Sequence, residues 1–258
     1  LDEPIVVFRT EAGVPAALED ACPHRKLPLS KGRLTGETVE CGYHGLTFDC
    51  SGTCVRAPTQ DGPPPAVTVR SYPVEDRWGI LWIWMGDANK ANPDKIFEIP
   101  NYDNPAWGRT QGGSMDIACH YLYVVDNLLD PSHVAWVHVS SFAGAGTGNL
   151  PLDLEKLDDG IIVSRWVMDA PPPPYYEPIL PFSGNCDRKQ HYECRLPSTA
   201  INMSVYTRAG TGGDNDNLPD DAFLNISYNF MTPVDADNTR YFWFQHRNSQ
   251  PDNDAISQ

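Results

Sequence analysis

Two short segments constrain this chain more than any other feature: Cys22-Pro23-His24 and Cys41-Gly42-Tyr43-His44. Each supplies one thiolate and one imidazole from a short loop, and 16 residues, Arg25 to Glu40, lie between them. A fold containing them has to present both loops to one metal centre. Two chemistries use this donor set. A structural zinc ion takes four Cys and His ligands tetrahedrally, but in a zinc finger the two cysteines come first and the histidines follow on a helix. Here Cys and His alternate, and the pairs lead into Lys26-Leu27-Pro28-Leu29-Ser30 and Gly45-Leu46-Thr47-Phe48, segments that bear Pro or Gly. The other chemistry is a [2Fe-2S] centre in which two histidines replace two cysteines on one iron. The imidazoles raise its potential, so it can pass electrons to an oxygen-activating metal. The alternation favours the iron–sulfur centre.

A second constellation sharpens the reading. In Asn127-Leu128-Leu129-Asp130-Pro131-Ser132-His133-Val134-Ala135-Trp136-Val137-His138, two histidines stand five residues apart, preceded by an Asn and an Asp at three-residue steps. Two imidazoles and one carboxylate on one face of an iron leave the other face open to dioxygen and substrate. Residues that meet on a straight helix are three or four apart, so His133 and His138 converge only if the helix bends or breaks between them. Pro131 suits a helix start with Asp130 as its N-cap.

On Cys22, His24, Cys41 and His44 the sequence resembles the Rieske family, and with His133 and His138 it resembles the oxygenase component of Rieske non-heme iron oxygenases. The closer likeness is to the vanillate O-demethylase oxygenase group. It extends over Ser71-Tyr72-Pro73-Val74-Glu75-Asp76-Arg77-Trp78-Gly79-Ile80-Leu81-Trp82-Ile83-Trp84, which looks like the last hairpin of a Rieske domain. It also takes in Thr239-Arg240-Tyr241-Phe242-Trp243-Phe244, which looks like a late strand of the catalytic sheet. The resemblance implies an α+β chain: an all-β Rieske [2Fe-2S] domain over residues 1–86, then a helix-grip catalytic domain over 87–258, an antiparallel sheet with helices. It implies that Cys22 and Cys41 hold one cluster iron and His24 and His44 the other, while His133 and His138 hold a mononuclear Fe(II). Asp130 matches a position that bridges the iron-ligand His133 to His44 of a neighbouring subunit in a homotrimer, and Asn127 matches one close to the iron. The implied reaction is dioxygen activation for oxidation or demethylation of an aromatic substrate, with electrons from a reductase or ferredoxin. Ring dihydroxylation on the same scaffold is the alternative. A pure electron carrier needs only about 100 residues, the usual size of one domain, and no second His pair.

Composition bounds the rest. The 258 residues suffice for two modest domains. A net charge of −15 argues against nucleic acid and anionic membrane surfaces as partners and suits docking of a positive patch. No apolar run approaches the roughly 18 residues of a membrane span. Seven cysteines in a chain of this length suit free thiols in a reducing cytoplasm rather than a disulfide scaffold. Cys50 and Cys54 flank a Ser51-Gly52 turn and are expected to face each other across it.

Short β-branched and aromatic runs, punctuated by Gly, Pro and Asp, predict strands at residues 5–8, 16–18, 38–41, 46–48, 67–69 and 80–84. Further strands are expected at 114–119, 160–167, 189–196, 200–206, 225–232 and 239–245, with one helical stretch over 121–138. Gly210 to Asp221 reads as a disordered acidic loop. Trp136, Phe142, Trp166, Tyr175, Tyr176 and Phe182 are candidate walls of a substrate pocket. The resemblance also implies a C-terminal helix beyond residue 258 that carries the third, carboxylate iron ligand. Asp252 and Asp254, in a polar tail, are the only acidic residues after the last strand. The chain thus reads as a fragment, or as only the ordered part of a longer protein, and as given it is expected to hold its mononuclear iron weakly or not at all.

Overall fold

The structure, a computed structural model, describes residues 2–62, 64–138, 140–142, 147–214 and 217–257. Two compact units form, Asp2–Pro100 and Asn101–Gln258. The sequence places the boundary at residue 86, whereas the Asn- and Pro-rich segment that follows belongs to the first unit. Side chains of one hairpin hold it there. Trp78 Nε1 donates to the Phe97 carbonyl at 3.2 Å, Arg77 donates to the Pro93 carbonyl at 3.3 Å, and Trp82 meets Phe97 edge-on.

The first unit is all β. Strands β1 (Ile5–Arg9), β2 (Pro15–Glu19) and β7 (Ser71–Tyr72) make one antiparallel sheet. A second runs β3 (Arg33–Thr35), β4 (Thr38–Glu40), β5 (Thr47–Phe48) and β6 (Cys54–Arg56) in sequential order. The predicted strand at 67–69 shrinks to a single bridge, Thr53 to Thr68. Leu18, Leu29, Val39, Phe48, Cys54 and Val69 form the core between the sheets, together with Cys22 and Cys41. Phe48 is fully enclosed, and truncating such a side chain to alanine costs about 3–5 kcal/mol. Hairpin β8 (Val74–Arg77) to β9 (Ile80–Ile83) closes on Trp78 and Gly79, with φ of 60° and 70°. Positive φ at both central residues is the two-residue turn whose twist matches that of the strands. A tryptophan is strained in that conformation, and its bond to Phe97 holds it. Cys50 and Cys54 do not face each other. Cys54 is buried in the core with its thiol toward the Arg56 carbonyl, and the Cys50 thiol points to the Glu37 carbonyl.

The second unit is built on one antiparallel sheet. Short strands β10 (Gly108–Arg109) and β11 (Gly113–Ile117) come first, then two helices, α1 (Tyr121–Leu129) and α2 (Val134–Val137). A meander follows: β12 (Asp153–Leu157), β13 (Gly160–Ala170), β14 (Cys186–Arg195), β15 (Thr199–Arg208), β16 (Phe223–Pro233) and β17 (Thr239–Arg247), with β10 and β11 paired along the outer edge of β17. A four-residue helix, α3 (Asp254–Ser257), follows where the sequence suggests a polar tail. Helix α1 lies on the sheet because Tyr121, Val124, Val125, Leu128 and Leu129 recur at helical spacing and pack on Cys194, Ala200 and Met231. Its first turn is capped by His120, whose Nδ1 accepts from Leu122 N–H. Near its end the Leu128 carbonyl accepts from Asn202 Nδ2 at 2.8 Å.

Two expectations change here. The single helix over 121–138 is broken, and the break lies before His133 rather than between the histidines. Pro131 lacks an N–H and cannot continue α1, and Asp130 accepts the Ser132 N–H at 2.7 Å. The acidic loop after Gly210 is also ordered at its start. Asp187, fully buried, accepts backbone N–H bonds from Gly210 at 2.7 Å and Gly212 at 2.9 Å, and from Asp169 at the β13 bulge. Asn215 and Asp216 of that loop lie outside the described residues.

Candidate functional site

The two Cys-His loops of the first unit share one backbone design. Cys22 N–H donates to the Leu27 carbonyl and Lys26 N–H returns to Cys22; Cys41 N–H donates to the Leu46 carbonyl and Gly45 N–H returns to Cys41. The fourth residue after each cysteine has positive φ, 57° at Lys26 and 71° at Gly45. A side chain at Gly45 would also meet Pro58 at 2.9 Å. Each loop is thus a tight turn that buries its cysteine and exposes its histidine. Cys22 and Cys41 are enclosed in the core, and burial raises the Cys22 thiol pKa. His24 and His44 are exposed, their ring centres 4.5 Å apart, and Tyr43 packs against His44. Two buried cysteines and two exposed imidazoles on twin loops are the donor set of a [2Fe-2S] cluster: Cys22 and Cys41 would hold one iron, and His24 and His44 the other.

In the second unit His133 and His138 bracket α2, one at each end. His138 leaves helical geometry, with φ −113° and ψ 15°, and this swings its ring back to 5.3 Å from that of His133. Asp130 Oδ2 faces His133 Nδ1 at 3.3 Å, which leaves Nε2 of that imidazole for a metal. Burial pushes the Asp130 carboxyl pKa up. Hydrogen bonds from the Ser132 hydroxyl and amide and from His133 outweigh it, so the carboxyl sits below its ordinary value. Burial, then the charge of His133, lowers the pKa of His138 and keeps it neutral, the state in which it ligates a metal. The ring of Phe142 stacks on His138. The donor chemistry fits an iron held by two imidazoles. Among the described residues no third His, Cys, Asp or Glu joins them. Asp252 is exposed, and the side chain of Asp254 lies outside the described residues.

Both histidines open into a cavity of about 370 Å³ between the helices and the sheet. Asn127 lines its mouth and is exposed; Phe142, Tyr175 and Tyr176 form aromatic walls. The other wall candidates lie elsewhere. Trp136 is 80% exposed on the outer side of α2, Trp166 packs against Gly212, and Phe182 belongs to a core cluster with Cys186, Tyr206 and Phe223. Sequence reasoning missed the cavity floor: Gln190 and Tyr192 on β14, Asn202 and Ser204 on β15, Asn225, Ser227 and Asn229 on β16, and Tyr241 and Gln245 on β17. The signal is present as alternating polar residues, two apart, on four strands whose register aligns Gln190 with Ser204 and Asn225, and Tyr192 with Asn202 and Ser227. Asn229 takes the Tyr241 hydroxyl at 2.6 Å and donates to Asn202, so this end of the floor is internally satisfied. Gln190 differs. Its oxygen accepts from Arg165, and an arginine offers only donors, so the NH2 group is what it presents to the cavity. A shallower recess of about 580 Å³, near Cys119, His120 and Asp237, is lined by neither metal-facing histidine.

Comparison with known proteins agrees with this geometry. The Rieske [2Fe-2S] domain family matches residues 1–73, and the vanillate O-demethylase oxygenase C-terminal domain family matches residues 117–258, more than half of the chain. The chain is 35% identical to the putative toluene-4-sulfonate monooxygenase system iron-sulfur subunit of Comamonas testosteroni over 262 residues, covering 100% of this chain and 75% of that one. It is 34% identical to the vanillate O-demethylase oxygenase subunit of a Pseudomonas species over 264 residues, covering 100% and 73%. Crystal structures of dicamba monooxygenase superpose on it. The one bound to 3,6-dichlorosalicylic acid has a TM-score of 0.91 at 30% identity, covering 100% of this chain and 74% of that one. The one with non-heme iron and dicamba has a TM-score of 0.81 at 29% identity, with the same coverage. A β-sheet unit with twin Cys-His loops, followed by an antiparallel sheet that carries a histidine pair over a cavity, places the chain in the Rieske oxygenase family, in the vanillate O-demethylase oxygenase group.

Proposed function

We propose that this protein is the terminal oxygenase of a multicomponent system. It takes electrons from a reductase or ferredoxin and uses dioxygen to demethylate or hydroxylate an aromatic substrate of the kind its relatives are named for. The observation that carries the reading is the cavity: His133 and His138 converge at its edge, opposite an amide-rich floor and beside aromatic walls. When bound, the cluster supplies electrons one at a time and the mononuclear iron supplies the dioxygen chemistry. Cys22 and Cys41 would hold one cluster iron, and His24 and His44 the other. His133, through Nε2, and His138 would hold the mononuclear iron. Asp130 accepts at His133 Nδ1, fixing that ring and strengthening it as a ligand. Asn127 stands at the mouth, where it meets the entering ring. Phe142, Tyr175 and Tyr176 hold that ring flat and keep water out.

The reading includes a homotrimer in which Asp130 faces a Rieske histidine of the next copy. Trp136 and Val137 support it, since both are exposed apolar residues on α2, close in sequence to Asp130. The unpaired thiols of Cys50, Cys54, Cys119, Cys186 and Cys194 suit a reducing cytoplasm, and among the described residues no helix is long and apolar enough to cross a membrane.

Iron and acid-labile sulfide analysis, with EPR of the dithionite-reduced protein, tests the cluster. Cys41→Ser should abolish the signal, and a colourless wild-type protein holding zinc would refute the assignment. Turnover of vanillate and other methoxylated aromatic acids with a reductase tests the activity. A monomer by light scattering would remove the trimer.

A further inference from the structure

Arg165, on β13, is 3% exposed and lies behind the cavity floor. Its guanidinium reaches three separate parts of the second unit. Nε donates to Gln190 Oε1 at 2.7 Å, Nη1 to the Thr147 carbonyl at 2.6 Å, and Nη2 to the Pro131 carbonyl at 3.0 Å. Burying a guanidinium is costly, and proteins usually offset it with a carboxylate. None of the partners here is one: Tyr192 and Arg188 are the charged or titratable groups that act on it. Its bonds go instead to backbone on both sides of the histidine segment and to one side chain of the cavity floor. Pro131 lies two residues before His133, and Thr147 lies nine residues after His138. The Pro131 and Thr147 carbonyls are therefore tied to one rigid, planar group on β13, the strand next to the β12 edge. Near His133 the chain is also held by Asp130, in the same loop, and by the buried Val134.

We propose that Arg165 is a positioning residue for the iron site: its planar fork ties the Pro131 carbonyl, two residues before His133, to β13 and to Gln190, with the Thr147 carbonyl on the same group. The inference rests on the reading of His133 and His138 as iron ligands. A core-filling arginine would matter for stability alone. A clamp matters for the relative placement of two imidazoles, and so for how tightly they hold a metal.

The test is Co(II) binding to the full chain with its cluster loaded, followed by the visible absorption of the bound ion under anaerobic conditions. Arg165→Met should weaken Co(II) by about 10–100-fold, the usual effect of losing a partner that orients ligands. Arg165→Lys keeps the charge but, as a single point donor, cannot reach both carbonyls, and should still lose about tenfold. His133→Ala is the control. If it loses Co(II) while both folded Arg165 variants bind as wild type, the clamp is refuted and the iron site stands. If His133→Ala binds Co(II) as wild type, the reading of the iron site fails, and the inference falls with it. If Arg165→Met does not fold, judged by near-ultraviolet circular dichroism, Arg165→Lys decides alone.

Discussion

Asp130 shows how much one residue is asked to do. Its Oδ1 accepts from the Ser132 amide at 2.7 Å and from the Ser132 hydroxyl, which ends α1 and turns the chain into α2. Its Oδ2 faces His133 Nδ1. These bonds hold the carboxyl ionised, so it accepts the imidazole proton at neutral pH. In Asp130→Asn the amide retains one acceptor oxygen for the turn but loses the charge that faces His133. The expected outcome is a folded protein with full cluster content in which, with iron supplied in excess, reduction of the iron site in a single turnover slows by about 10–100-fold or more. Wild-type kinetics would reduce Asp130 to a turn-forming residue. The exposed His24 and His44 rings and the buried Cys22 and Cys41 thiols divide labour in the same local way, within one pair of tight turns.

At the scale of elements, the sheet of the second unit carries its function on one face, and its loops need their own anchors. Asp187 is such an anchor. Burial acts to raise its pKa, but backbone N–H groups of Asp169, Gly212 and Gly210 outweigh it and lower the pKa. A carboxyl with a depressed folded-state pKa contributes stability that is present above its unfolded value and is lost as pH falls through the folded value. Asp187→Asn should cost about 1–3 kcal/mol, because an amide cannot serve every donor and the β13 bulge loses its tie to the Gly210 turn. The measurement is urea unfolding, together with limited proteolysis of the 209–221 loop. Unchanged stability and unchanged cleavage would show that the loop is held elsewhere.

At the scale of the whole molecule, acid sensitivity has an identifiable source. His246 on β17 is 1% exposed and packs against Trp107, and among the described residues neither ring nitrogen has a hydrogen-bond partner. Burial first, and the charge of Arg109 second, lower its pKa from 6.5 to about 4. The folded protein therefore refuses a proton that the unfolded chain accepts, so stability falls as pH drops from about 6.5 toward 4. The full effect of that gap is on the order of 3 kcal/mol. His246→Phe keeps an aromatic ring against Trp107 and removes the titration. Its melting temperature should fall less than that of wild type between pH 7 and 4, and parallel curves would assign the acid sensitivity to other groups. The net charge of −15 acts at the same scale and suits docking of a basic electron donor.

Much of this was legible in the sequence. The cluster loops were, because a ligand set spaced within a few residues is a local property, and the matching turns at Cys22 and Cys41 are closed by bonds between residues four and five apart. The strands of the meander and the apolar face of α1 were readable for the same reason, since their periods of two and 3.6 are written along the chain. What the sequence could not decide was set by contacts between residues far apart. Helix α1 is fixed by Asn202, 74 residues from the Leu128 carbonyl it bonds, and the segment before His133 by Arg165, 34 residues from Pro131. The polar floor arose only when β14 to β17 fell into register and aligned Gln190, Ser204 and Asn225 across three strands. Residues 87–100 joined the first unit because Phe97 and Pro93 found partners on the β8–β9 hairpin. The sequence by itself determined which side chains offer a metal donor set, through spacing. Only the tertiary structure decided what surrounds the metal, because a cavity wall is an agreement among strands that no single stretch of chain contains.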